Sequence, residues 1–273
     1  MKTFIRWYGN KSKYIKFILL HFPISYNKYV EPFVGSGALF LTLQPKKWII
    51  NDLNTDLINC WKKIRSNPKI IIKHFMQFEN KFESFNEQEK LNYCRKQLNA
   101  MLYMKYSYKR AALFMLVKFC AYMGFILINN KYKITALDSK IYHNKKLYFL
   151  SEKYYNNLKE VSQFLNNSNG IISNNDYKDI LKNVNENDFI FIDPPYIQTH
   201  EFNYNYNQIL NNKFQDDLFS QLQLLDYKKV KWLLTQPDTP YVRKLFIKYK
   251  IYEFSVYRGH SHKYDKELVI KNY

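Results

Sequence analysis

Two short stretches of this chain combine residue types that can do chemistry. Asp193-Pro194-Pro195-Tyr196 follows Phe189-Ile190-Phe191-Ile192, the most apolar strand-like run in the sequence. A carboxylate at the tip of a buried strand is placed to meet a ligand. Two consecutive prolines remove backbone donors, stiffen the loop and leave carbonyl oxygens as acceptors. Rigid acceptors beside an aromatic ring suit an amino group on a planar base. In the second stretch, Phe33-Val34-Gly35-Ser36-Gly37, the glycines stand where backbone must approach a ligand closely, and Asp52 follows Gly35 by 17 positions. That spacing suits a carboxylate accepting hydrogen bonds from ribose hydroxyls. The loop lacks the third glycine of a dinucleotide-binding pattern and the Gly-Lys-Ser/Thr ending of a phosphate loop, so NAD and ATP are disfavoured.

Such loops need strands and helices to hold them. Apolar residues at helical spacing (Ile15, Ile18, Leu19, Phe22) predict a helix over 13–22, stopped by Pro23. A strand at 29–33 then leads through the glycine turn into a helix at 38–43, and Trp48-Ile49-Ile50 gives a second strand before a helix at 55–65. Strands are expected again at 170–172, 189–192 and 231–235, with a closing antiparallel pair at 251–257 and 268–271. Interleaved strands and helices make an α/β protein with a mostly parallel sheet. Between them, 67–168 reads as mainly helical, with a β-hairpin where 125–128 meets 131–134 across Asn129-Asn130. The expected organisation is one domain built from 1–66 and 169–273, with 67–168 inserted.

Composition narrows the partners. Lysine and arginine number 42 against 23 aspartate and glutamate, a formal charge of +19, which points to a polyanion. The three cysteines, Cys60, Cys94 and Cys120, form no Cys-x-x-Cys pair and lack histidines at ligand spacing, so no metal and no disulfide framework is expected. The apolar stretch 111–128 is interrupted by Lys118 and falls short of the roughly 20 residues that span a bilayer, so it is expected to be a buried helix and the strand after it. Met1-Lys2-Thr3-Phe4-Ile5-Arg6 has no apolar signal core, and a cytoplasmic location is expected.

In their order the motifs resemble the Dam-type family of DNA adenine N6-methyltransferases. The resemblance is carried by Arg6-Trp7-Tyr8-Gly9-Asn10-Lys11, by Val30-Glu31-Pro32-Phe33-Val34-Gly35-Ser36-Gly37, by Asn51-Asp52-Leu53-Asn54-Thr55-Asp56-Leu57-Ile58 and by Asp193-Pro194-Pro195-Tyr196. Asp176-Tyr177, Leu234-Thr235-Gln236 and Asp265-Lys266-Glu267-Leu268-Val269-Ile270 extend it over nearly the whole chain. It implies a Rossmann-like methyltransferase sheet, S-adenosylmethionine as methyl donor, and double-stranded DNA as partner. The insertion becomes a target-recognition domain. Trp7, Lys11, Phe33, Asp52 and Asp193 are implied to line the cofactor site, with Tyr8, Gly35, Gly37, Asp176 and Tyr177 as further candidates. Lys11 would meet the cofactor carboxylate.

Catalysis would fall to Asp193, Pro194 and Tyr196. Adenine is flipped from the duplex, and the ring of Tyr196, rather than its hydroxyl, stacks on it. Asp193 and the Pro194 carbonyl accept its amino group, and transfer is a direct displacement. Arg110, Asn129, Asn130, Lys131 and Arg258 are the candidate DNA contacts. A companion restriction endonuclease is compatible with this reading, and neither monomer nor dimer is favoured. Cytosine N4 methylation, RNA adenine methylation and an inactive DNA-binding subunit draw on the same residues. Methylation at cytosine carbon 5 is disfavoured, because its cysteine nucleophile usually adjoins a proline and these cysteines precede Trp61, Arg95 and Ala121.

The match departs where the family reads bases. Lys109-Arg110-Ala111-Ala112-Leu113-Phe114 matches the helix before its recognition hairpin, and Gly124 the hairpin's start. Leu127 stands where relatives commonly place an arginine. The GATC preference of the best-known relatives is therefore not expected.

Overall fold

A computed structural model of the chain describes residues 1–121, 127–128, 132–133, 137–138, 141, 147, 150–196, 212–258 and 263–273. Asn129, Asn130 and Lys131 lie outside these residues, as does the Asn/Tyr-alternating stretch 203–207. Nine strands are described: β1 (Tyr29–Glu31), β2 (Lys47–Asn51), β3 (Leu127–Ile128), β4 (Tyr132–Lys133), β5 (Asn169–Ser173), β6 (Phe189–Ile192), β7 (Lys231–Pro237), β8 (Lys250–Arg258) and β9 (Lys263–Lys271). Seven form one sheet in the order β5-β2-β1-β6-β7-β9-β8, and β3 and β4 form the hairpin. All pairings from β5 to β7 are parallel; β9 runs antiparallel to both β7 and β8. This is the mixed α/β sheet, parallel with a closing antiparallel pair, that the strand pattern predicts.

Alternation along β6 shows how the sheet divides two cores. Phe189 and Phe191 join a cluster with Tyr29, Phe40, Trp48 and Trp61, while Ile190 and Ile192 join Trp232, Leu234, Leu268 and Ile270 on the opposite face. A strand buried on both faces must be apolar throughout, as this one is.

The described helices are α1 (Ile15–Leu19), α2 (Ala38–Leu43), α3 (Thr55–Ser66), α4 (Pro68–Phe82), α5 (Glu87–Leu102), α6 (Tyr108–Cys120), α7 (Glu152–Asn167), α8 (Tyr177–Lys182), α9 (Asn212–Tyr227) and α10 (Pro240–Leu245). Their starts are written in the sequence. Asn54, Asn67, Ser107, Ser151, Asp176 and Thr239 accept backbone N–H groups as N-caps, and Asn86 with Glu89 forms a full capping box. Helix α1 is shorter than its apolar spacing predicts. Leu20, His21 and Phe22 continue with tight bonds to residues three back, ending ahead of Pro23, which has no N–H to carry the ladder on. Helix α6 is buried along nearly its whole length, and among the described residues no helix is long and apolar enough to cross a membrane.

Candidate active site

Strands β1 and β6 lie side by side, yet β1 leads outward to β2 and β6 leads the other way to β7. At such a switch point the loops beyond the strand ends part and leave a crevice for ligand. Here the two loops are 32–37 and 193–196. Between them opens a cleft lined by Trp7, Tyr8, Lys11, Phe33, Gly35, Asp52, Asp193, Pro194 and Tyr196 among others.

The glycine loop is braced from beneath. Asp52, 4% exposed, accepts the Gly35 N–H at 3.0 Å through Oδ2 and the Asn54 N–H at 2.9 Å through Oδ1. Asn51 ties the ends of three strands, donating to the Pro32 and Asn175 carbonyls and accepting from the Asn175 N–H. Gly35 and Gly37 both take positive φ, at 49° and 65°. A Cβ at Gly35 would come within 2.9 Å of the Trp7 ring, and one at Gly37 within 2.6 Å of Trp61. Trp7 thus packs on the loop and lines the cleft at once, and Phe33 lies half-buried beside it.

Across the cleft, Asp193 is held through one oxygen. Its Oδ1 is 2.7 Å from Lys11 Nζ and 2.7 Å from Thr235 Oγ1, and the Tyr196 hydroxyl is 3.3 Å away. The Lys11 ammonium also reaches the Gly9 carbonyl at 3.2 Å, lies 3.7 Å from Glu267 Oε2 and sits 4.7 Å above the Tyr196 ring. The Tyr196 hydroxyl donates to Glu267 Oε2 at 3.0 Å. Burial first, then the charges of Asp193 and Glu267, raise that hydroxyl well above its ordinary pKa, so it stays protonated. Among the described residues no hydrogen bond reaches Asp193 Oδ2. One edge of the carboxylate is anchored and the other is left to accept.

The sequence pattern of the D12 class N6 adenine-specific DNA methyltransferases matches residues 7–259, from Trp7 through both loops to the β8–β9 hairpin. The chain belongs to this family. It is similar to the type II methyltransferase M1.LlaDCHI of Lactococcus lactis subsp. cremoris, 27% identical with 100% of this chain and 96% of the relative covered. The type II methyltransferase M.MjaIII of Methanocaldococcus jannaschii is 28% identical, with 100% and 99% covered. A DNA adenine methylase of Haemophilus influenzae is 24% identical, with 99% and 91% covered. As a DNA adenine N6-methyltransferase, the protein takes its methyl group from S-adenosylmethionine. Among the described residues no group of three or more His, Cys, Asp or Glu side chains could hold a metal ion.

Not every residue expected at this methyltransferase's site stands in the cleft. Asp176 caps α8 through the Lys178 N–H at 2.8 Å, and Tyr177 is buried behind Phe33 with ring centroids 5.1 Å apart. Arg110 is corrected from a DNA contact to a structural residue. It is 7% exposed, and its guanidinium meets both oxygens of Asp56, at 2.6 and 2.9 Å, and the Met101 and Met104 carbonyls at 2.9 and 2.6 Å. A fork so committed has no face to turn to a phosphate. Arg258 closes β8, pairing with Lys263 across the hairpin.

Three residues in or behind the cleft carry no local sequence signal of their own. Glu31 is buried, accepts the Tyr29 hydroxyl at 2.7 Å, and is driven well above the usual carboxylate range by burial, with the charges of Asp193 and Asp52 adding. Thr235 and Glu267 hold the 193–196 loop from β7 and β9. Their motif blocks matched the family, but no local pattern marks them as partners of Asp193 and Tyr196.

Proposed function

We propose that Asp193, Pro194 and Tyr196 carry out site-specific methylation of adenine N6 in duplex DNA, with S-adenosylmethionine held in the cleft between the β1 and β6 loops. The residues present suit that cofactor. Phe33 and Trp7 offer aromatic faces, Asp52 a buried carboxylate at the ribose-binding position, and Asp193 a carboxylate on the opposite wall. When bound, S-adenosylmethionine supplies an electrophilic methyl group on a positively charged sulfur.

The protein's own residues do the rest. A target amino group lies inside a base pair, so the adenine is extruded at a cost of a few kcal/mol. The Tyr196 ring stacks on it. Oδ2 of Asp193 and the Pro194 carbonyl accept its two N–H bonds, drawing the lone pair out of conjugation and aiming it along the line of displacement. Lys11 and Thr235 hold the carboxylate in its orientation. For Lys11 this geometry favours a hold on Asp193 over the cofactor carboxylate. We further propose that 67–168 forms the target-recognition part, and that Asn129, Asn130 and Lys131 and the β8–β9 hairpin with Arg258 face DNA.

The observation that carries this reading is the anchoring of Asp193 through Oδ1, with no hydrogen bond to Oδ2 among the described residues. Asp193→Ala should abolish transfer of labelled methyl groups to unmethylated plasmid DNA while leaving DNA binding within a few-fold. Near-normal turnover in that variant sinks the assignment.

A further inference from the structure

The Tyr196 hydroxyl has one hydrogen to give and two acceptors in reach, Glu267 Oε2 at 3.0 Å and Asp193 Oδ1 at 3.3 Å. Glu267 is 1% exposed and enters from β9, where the ladders fix it opposite Pro237 on β7 and Phe254 on β8. A carboxylate rarely sits so deep without a task or a partner. Asp193 Oδ1 meanwhile accepts from Lys11 and Thr235, both at 2.7 Å, which already engages its two lone pairs.

We propose that Glu267 is a positioning residue for methyl transfer. By taking the hydroxyl hydrogen it fixes the Tyr196 ring at the stacking face. It also keeps a third donor off Asp193, whose charge is thereby preserved for the adenine amino group. Without Glu267, the hydroxyl turns to Asp193 Oδ1, the ring tilts with it, and the carboxylate becomes a weaker acceptor. The inference rests on the reading of the Asp193 loop given above.

The test is a double-mutant cycle on the single-turnover rate of transfer to unmethylated plasmid DNA, with DNA and S-adenosylmethionine saturating. Glu267→Met, close in volume, should slow transfer about tenfold, the worth of one buried hydrogen bond to a charged group. The KM for each substrate should stay within about twofold. Glu267→Gln, whose amide oxygen still accepts from the hydroxyl, should recover to within about threefold of the unaltered enzyme. In a Tyr196→Phe background, itself slowed several-fold, adding Glu267→Met should cost less than about twofold more. Equal losses in both backgrounds overturn the proposal, as does a Gln variant no better than Met. Should Glu267→Met fail to fold, Tyr196→Phe decides alone, because a full rate without the hydroxyl refutes it. An active Asp193→Ala brings down the loop reading instead; a dead Asp193→Ala beside an additive cycle brings down only Glu267.

Discussion

Arg110→Ala should lower the thermal midpoint rather than merely weaken DNA binding. The guanidinium forms a two-pronged pair with Asp56 and also satisfies the carbonyls that end α5, with Arg110 7% and Asp56 4% exposed. Truncating either partner strands the other's charge inside the helical layer, a change that costs about 3–5 kcal/mol. For a chain of this length each kcal/mol moves the midpoint by about 2 °C, so a drop of about 6–10 °C is expected. Asp56→Ala should fall in the same range. The double variant Asp56→Leu/Arg110→Met should recover most of the loss, because apolar groups of similar volume replace two desolvated charges. Calorimetry of the three variants measures this, with DNA binding followed by fluorescence anisotropy well below the transition. An unchanged midpoint with several-fold weaker binding by Arg110→Ala would refute the reasoning and return the residue to the DNA-facing surface.

Lys118, buried 4.5 Å from the Trp7 ring, is pulled down to about 7 by burial and by the charge of Arg6. Between pH 7 and about 10 the unfolded chain therefore binds more protons at this site than the folded one, so stability should rise with pH across that window; Lys118→Met should flatten the rise, and identical slopes in the two proteins would contradict it. Binding to duplex DNA should weaken steeply with salt, each neutralised phosphate adding about 0.9 to the log–log slope, whereas a nearly flat dependence would make the +19 charge mere composition. Duplexes differing only at a central site should show no exclusive preference for GATC, because Leu127 cannot donate to a guanine edge and a good bidentate base contact is worth about 1–3 kcal/mol; strong, exclusive methylation at GATC would overturn this and leave the chemistry intact.

What could be read from sequence follows from what is local. Helix α2 begins at Ala38 because Gly37 turns the chain in the left-handed region, and it ends at Leu43 ahead of Gln44; both bounds were legible in the Gly-x-Gly turn and the apolar run after it. The β6 loop was legible because prolines and an aspartate break a fully apolar strand. The site's support was less so. Thr235 and Glu267 reach Asp193 and Tyr196 across 42 and 71 positions, through strand neighbours that only the sheet order creates. Arg110 carries a signal of its own: an arginine leading into the apolar run 111–117 of a buried helix must find a buried partner. Its partner, Asp56, lies 54 positions earlier inside a stretch noted for its family resemblance alone.

Strand β9 lies between β7 and β8, and it brings Glu267 to a site whose other members, Thr235 apart, precede it by 71 positions or more. Protein synthesis therefore delivers the 193–196 loop well before the residue that takes its tyrosine hydroxyl. A ribosome paused after β8 holds a nascent chain in which β7 still has an open edge, and Asp193 and Tyr196 stand exposed with one support missing. Methylating activity should thus reach its full rate only once β9 occupies its slot.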